Sequence, residues 1–446
     1  MISSDRRQRI STPPSHPTHA TIAEWISHTA LPFSVDAPDS VDSAIDALIA
    51  ALGDAVELLG FGEALHGGEA LLSLRNQLFQ RLVAAHGYSA IAIESSFPRG
   101  QLVNEYIAGR GPADYAAIQE TGFSHGFGGL DTTRELVEWM RAYNADPAHS
   151  VKLRFYGFDS PTEVIGTDSP RHVLYVALDY LAAIDGSRSH ERRERIDALI
   201  GADADWENPD ASMNPSLAVG LSPAAQALRV ETEDLISELQ IRRPELIASS
   251  DADRYWEALH YAVVARQLLN YHAELARTAD DRIGRLGGIR DAMMADNLAY
   301  IVARERGRGK VLAFAHNSHL QRARIDWQLG PHLVSWWPAG AHLREMLGSR
   351  YVVIGSALGV SEPNGIEQPA PGTLEALLTS LPESGVLIPT YRGQGLPDAE
   401  IAALPIRSGS QKNPSYTVLS PASFDDFDWL AVLDSTTYSR GGWVLP

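Results

Sequence analysis

Apolar positions follow two different spacings along this chain. Short, mostly apolar runs at 56–61, 90–93, 153–156, 311–314, 352–354, 386–388 and 430–433 read as strands, several of them apolar on both faces. After the first run, Ala70, Leu71, Leu74, Leu78 and Leu82 recur at helical spacing. Strand, helix and strand within so few residues form a βαβ unit, which implies parallel pairing. Residues 21–52 read as mainly helical, as do 172–184, 192–200, 223–239 and 253–278, and the Pro-, Asn-, Ser- and Gly-bearing stretch 208–223 interrupts them. The expected fold is α/β: a mainly parallel central sheet flanked by helices, with a large helical insertion forming a lid over the cleft. The expected organisation is a disordered leader (1–20), a catalytic α/β domain in two parts (21–171 and 287–446) and the insertion (172–286).

The residues just after each strand point to chemistry. The first strand runs into Glu63-Ala64-Leu65-His66-Gly67-Gly68, the second into Glu94-Ser95-Ser96, the third into Asp159-Ser160-Pro161 and the fourth into His316-Asn317-Ser318-His319. Open parallel sheets bind ligands outside the carboxyl ends of their strands. Parallel pairing therefore gathers Glu63, His66, Glu94, Asp159, His316 and His319 at one edge. Together they supply a base near neutral pH, carboxylates to orient it and donors for an oxyanion, which is what a hydrolase needs. Each residue also has a plainer structural role: His66 in a glycine turn, Glu63 near a helix N-terminus, Asp159 as a turn or cap residue, His316 or His319 as a cap or a packed imidazole. Glu94 is harder to explain that way, because a carboxylate directly after a wholly apolar strand needs a partner. Arg75, in the second turn of the following helix, is placed to reach back to a carboxylate or an oxyanion; a solvated surface arginine is the alternative.

Composition narrows the classes. Lys and Arg number 37 against 56 Asp and Glu, a formal charge of −19, which disfavours nucleic-acid binding and leaves neutral or cationic small substrates open. With no cysteine there is no thiolate nucleophile, disulfide, iron–sulfur cluster or Cys-ligated zinc. This fits a reducing compartment, and a cytoplasmic location is expected. Residues 1–20 lack the apolar core of a secretory signal, and no run approaches a membrane span, so no membrane association is expected. Gly-x-Ser-x-Gly, Walker A and His-Glu-x-x-His motifs are absent, and Leu65 stands where a dinucleotide fingerprint after Gly60-Phe61-Gly62 needs its third glycine. Two histidines with carboxylates are compatible with a divalent metal, but His316-x-x-His319 lacks a third fixed ligand and no required cofactor is expected. Trp206, Tyr255, Trp256, Tyr261 and Tyr271 are candidates to line a pocket or, for most of them, to pack the insertion's own core.

Several of these segments, in this order, resemble the erythromycin esterase family: Gly62-Glu63-Ala64-Leu65-His66-Gly67, Leu74-Arg75, Ile93-Glu94-Ser95, Arg290-Asp291-Ala292-Met293-Met294-Ala295-Asp296-Asn297, Ala315-His316-Asn317-Ser318-His319 and the closing Phe427-Asp428-Trp429-Leu430-Ala431-Val432-Leu433-Asp434. The resemblance spans roughly residue 50 to the C-terminus. It implies hydrolysis of an ester or macrolactone by water without a covalent enzyme intermediate. His66 is then the water-activating base, and Glu63, Arg75, Glu94, His316 and His319 share the active site, with Asp159 and Asn317 as substrate-binding candidates. Leu65 replaces the family's usual threonine and Gly68 precedes Glu69, departures that spare the catalytic groups. The resemblance also implies a macrolide-inactivating resistance role; the alternatives are a biosynthetic esterase or acyl-transfer enzyme of secondary metabolism, or a homologue that only sequesters a ligand. The expected partner is a small-molecule ester.

Overall fold

The computed structural model of the chain describes residues 18–162, 166–329 and 332–442. Ten strands are present among them: β1 (Leu31–Phe33), β2 (Leu58–Glu63), β3 (Tyr88–Ser96), β4 (Arg154–Asp159), β5 (Lys310–His316), β6 (Ile325–Leu329), β7 (His332–Trp336), β8 (Tyr351–Val360), β9 (Gly385–Pro389) and β10 (Trp429–Ser435). Eight form one sheet in the order β1-β9-β10-β8-β2-β5-β3-β4. The six from β10 to β4 pair in parallel, while β9 and β1 close one edge antiparallel. The mainly parallel sheet read from the sequence is therefore the architecture of the molecule.

Alternation along the strands builds two cores, one on each face. Ala90, Ala92, Val311, Ala313 and Ala315 face one, and Ile91, Ile93, Leu312 and Phe314 face the other. The small side chains lie toward the long helices Ala252–Leu275 and Arg282–Glu305, and the large ones toward Pro38–Leu52, Glu69–Ala85 and Asp131–Ala145. Alanine lets a helix sit close against the pleat, and bulkier residues fill the wider layer. Arg282–Glu305 is one continuous helix across the boundary expected between 286 and 287, and Met294, Leu298 and Ile301 on it share a core with Leu58, Val311 and Val353 of the sheet.

Two features depart from the sequence reading. The expected helical stretch 21–52 is two helices, Ile22–Thr29 and Pro38–Leu52, separated by β1. Pro32 explains the break: it disfavours helical backbone at Leu31 and is tolerated in an edge strand. The β6–β7 hairpin, a separate two-stranded sheet, is not marked by any of the apolar runs. The leader expected over 1–20 falls outside the described residues except for its last three, and there His19 is buried and its backbone N–H donates to the Gly395 carbonyl at 2.7 Å. Among the described residues no helix is long and apolar enough to cross a membrane.

Candidate active site

The four strands whose ends carry the candidate groups, β2, β5, β3 and β4, are contiguous in the sheet and parallel. Glu63 and His316 are register partners across β2 and β5. β3 continues through Glu94 to Ser96, beyond the end read from its apolar run, and its pairing with β4 slips between Ile93 and Ser96. Such an irregularity re-aims a side chain at a strand end, and here it falls on Glu94.

His66 sits in the turn between β2 and the helix Glu69–Ala85, beside Gly67 at φ 72°. Its Nδ1 lies 2.7 Å from Glu63 Oε1, which leaves Nε2 as the ring nitrogen for the cleft. The His66 side chain is 28% exposed, and the ring packs 5.0 Å from His316 and 5.6 Å from Phe127, centroid to centroid. Burial pushes the Glu63 carboxyl above its ordinary range, against the pull of His66. Burial also opposes a charge on His66, but Glu94 and then Glu63 outweigh it and raise the imidazole above its usual value.

Glu94, buried, is the hub of the site. Its Oε2 accepts the His316 backbone N–H at 2.8 Å, and its Oε1 receives Arg290 Nη2 at 3.1 Å and His319 Nε2 at 3.3 Å. Burial alone would raise this carboxyl; His319, His66 and Arg290 instead hold it well below the ordinary range. His319 is clamped from the other side by Asp291, Nδ1 to Oδ1 at 2.8 Å. Desolvation works against its charge, yet Asp291 and Glu94 push its pKa up to about 10. His319 is thus an imidazolium near neutrality, and its 3.4 Å approach to Arg290 Nη1 brings two cations together under the hold of surrounding carboxylates. Asp291 is fixed in turn by Trp336 Nε1 at 2.6 Å and the Ala339 N–H at 2.9 Å. A side chain at Gly287 would strike the Trp336 ring, so that glycine lets the hairpin indole reach the helix that carries Asp291.

The charge on His319 makes stability depend on pH. A group whose pKa is raised on folding stabilises fully below its unfolded value and loses that contribution as pH climbs through the folded value. For His319 the window runs from 6.5 to about 10. Urea unfolding across this window should show wild type losing more stability than His319→Asn; parallel losses would mean that the imidazole is not held charged.

Other sequence candidates have different places. His316 Nε2 lies 2.7 Å from the Ser415 carbonyl and must donate to it, and Nδ1 then accepts from Ser318 Oγ at 2.7 Å. Burial, reinforced by His66, lowers its pKa to about 3. It is a ring with both nitrogens engaged in this structure, and it caps Asn317–Leu320. Asn317, expected to bind substrate, spends its amide on β8: Nδ2 donates to the Ser356 carbonyl at 2.8 Å and Oδ1 accepts the Ser356 N–H at 3.0 Å. Its Oδ1 also occupies the space that a side chain at Gly62 would need. Asp159, likewise expected to meet substrate, is fully buried and receives Arg290 Nε at 3.0 Å, Arg290 Nη2 at 2.6 Å and His125 Nε2 at 3.1 Å. Burial would raise its carboxyl, but Arg290 and His125 hold it far below the ordinary range. It aims Arg290 and His125 instead of facing the cleft. Arg75 is no surface residue: it is buried over the Phe314 ring at 5.0 Å and donates to Asn76 Oδ1 at 2.9 and 3.0 Å. It lines a small inner cavity with Glu63, Glu94 and Thr133.

Two cleft residues escape the sequence reading. Arg290 belongs to a recognisable motif, but its sequence neighbourhood shows no role for it, and its two carboxylate partners are 131 and 196 positions away. His125 adopts φ 58° ahead of Gly126 and carries a readable signal, a histidine in the glycine-rich Ser124-His125-Gly126-Phe127-Gly128-Gly129 between the helices Phe97–Ile107 and Asp131–Ala145, much as His66 precedes Gly67-Gly68. The cleft itself measures about 880 Å³. His66, Glu94, His125 and Arg290 line its polar end, and Phe127, Met213, Tyr271, Leu286, Trp327 and Trp336 are among its apolar walls. Of the five aromatic candidates in the sequence, Tyr271 alone lines it. Trp206, Tyr255 and Tyr261 are packed inside, and Trp256 lies at the surface, 5.0 Å from the Arg243 guanidinium.

Comparisons with known proteins agree with this architecture. The family model for erythromycin esterase matches residues 83–436. An Escherichia coli protein described as erythromycin esterase type II is 24% identical over 339 residues, 74% of this chain and 76% of that one. Among solved structures, a Bacillus cereus protein superposes with a TM-score of 0.72 at 18% identity, covering 94% of this chain and 98% of its own. A succinoglycan biosynthesis protein gives 0.69 at 21% identity, with 94% and 98% covered. A mutant of the erythromycin esterase EreC in its open conformation gives 0.64 at 18% identity, with 93% and 99% covered. The family match extends from the helix that follows His66 through the last strand of the sheet, and by it this chain belongs to the erythromycin esterase family.

Proposed function

We propose that this member of an esterase-like hydrolase family cleaves a bulky, largely apolar carboxylic ester with water activated by His66. The observation that carries the reading is the His66–Glu63 hydrogen bond of 2.7 Å at the polar end of an otherwise apolar cleft. Glu63 holds Nδ1, so Nε2 takes the proton from water as its oxygen attacks the ester carbonyl. Among the described residues Arg290 Nη1 has no carboxylate partner, and it lies at the same end, where it stabilises the oxyanion of the tetrahedral intermediate. Collapse breaks the bond to the alkoxy oxygen, which receives the proton back from His66. The products are one acid and one alcohol, joined in a single hydroxy acid when the ester closes a ring. Asp159 and Glu94 fix the Arg290 guanidinium so that it need not reorganise during the reaction.

Cleft size and lining favour a rigid apolar ester of drug-like bulk, and the macrolactone named in the family is the first substrate to assay. A single turnover in ¹⁸O-labelled water should place one labelled oxygen in the acid product with no mass adduct on the protein. Ser318 lies 2.7 Å from His316 Nδ1 in a pair that superficially resembles a nucleophile and its base. An acyl group trapped on Ser318 would overturn the water mechanism.

The pH profile tests the base. Because Glu94 and Glu63 raise His66, kcat/KM should climb with pH through a limb above the 6.5 of ordinary imidazole. Glu63→Gln removes one of the charges that favour imidazolium and should move that limb to lower pH while reducing the rate. An unshifted limb would assign it to another group.

A further inference from the structure

The N-terminal end of the described chain holds a second cluster of ligating groups, outside the cleft. His19 is 3% exposed, and neither of its ring nitrogens has a hydrogen-bond partner among the described residues. Leaving an imidazole buried with both nitrogens unused costs the desolvation of each. Glu24 and His28 stand four apart on the helix Ile22–Thr29, so their side chains share one face. The His28 ring centroid is 5.6 Å from that of His19. One ligand atom from each of His19, Glu24 and His28 lies within 4.8 Å of the other two.

The backbone around them is held in place. The Thr21 hydroxyl accepts the Glu24 N–H at 3.1 Å, and Glu24 Oε2 accepts the Ala20 N–H at 2.6 Å, a reciprocal cap that fixes the carboxylate at the helix start. Among the described residues Oε1 has no hydrogen-bond partner. Trp25 Nε1 donates to the Pro389 carbonyl at 3.1 Å and pins the helix to β9, while the His19 N–H pins the preceding turn to Gly395.

We infer that His19, Glu24 and His28 form a zinc site that staples the N-terminal turn to its helix at the antiparallel edge of the sheet. Two imidazoles and one carboxylate suit zinc, whose nitrogen and oxygen ligands lie about 2.0–2.2 Å from the metal, whereas magnesium and calcium prefer all-oxygen shells. Tetrahedral ligands at that distance stand about 3.3 Å apart, so binding draws the present cluster inward by at most about 1.5 Å, chiefly through rotation of the exposed His28. Water takes the fourth position. β10 and β8 separate β9 from β2, so the ion serves structure and stands apart from the ester chemistry.

The test uses the full chain without an affinity tag, titrated with zinc in competition with a chromophoric chelator. Wild type should bind one more equivalent than His28→Ala, and its melting temperature should rise with zinc by an amount that His28→Ala lacks. His28 is exposed, so its replacement spares the fold. His19→Ala and Glu24→Ala should each weaken that equivalent by at least about tenfold, the lower end of what loss of an outer-shell partner alone costs a metal site. Comparing variants with wild type separates this ion from any taken up by the cleft histidines. Equal zinc stoichiometry and affinity in wild type and His28→Ala, or a melting shift that persists in His28→Ala, would overturn the inference. Esterase activity does not enter the readout.

Discussion

His66→Asn should leave a folded protein in which the proposed ester hydrolysis is about 10²–10⁴-fold slower, the range supplied by a positioned general base. The fold should survive because His66 occupies a turn lining the cleft and, among the described residues, makes one side-chain hydrogen bond, to Glu63. Asparagine keeps a polar group of similar reach but cannot take a proton near neutral pH. The loss should appear in kcat, with KM little changed, because the apolar walls that hold substrate come from other elements. Circular dichroism and urea unfolding establish the fold, and a discontinuous product assay gives the rate. Wild-type turnover by a folded His66→Asn protein would remove His66 from the chemistry.

Glu94→Gln should damage stability and rate together. The carboxylate lies between Arg290 and His319 and accepts the His316 N–H, at 4% exposure. Glutamine preserves the shape, but it removes the charge that compensates two cations and turns one acceptor oxygen into a donor facing them. Breaking a buried pair by neutralising one partner costs about 3–5 kcal/mol, which should lower the urea midpoint at an unchanged slope. The rate should fall as well, since Arg290 loses one of its two anchors and His66 loses the charge that does most to raise its pKa. Glu94→Gln with wild-type stability would mean that Asp159 and Asp291 suffice to hold the cations.

These two variants also separate what each level of description supplies. The chain's apolar periodicity was enough to place seven strands and to pair most of them in parallel, because strand runs and the helices between them are local patterns. The gathering of the candidate groups at one edge was equally legible. Once β2, β3, β4 and β5 are parallel, the residues after them must share an edge, whatever the packing. Assignments of role were not legible, because they depend on which atom of each side chain is already taken. His316 and His319 look equivalent three residues apart, yet one is a neutral cap on Ser415 and Ser318 and the other an imidazolium between Asp291 and Glu94. Asn317 and Asp159 stand at the right strand ends, but register across the sheet turns the first toward Ser356 and helix packing sets Arg290 on the second. Arg290 and His125 themselves come from segments with no strand end to announce them. Sequence by itself determined where polar groups gather, since topology follows from local pattern. Only the tertiary structure decided which of their atoms are engaged and how burial biases their protonation, since partners such as those of Arg290 lie 131 and 196 positions away.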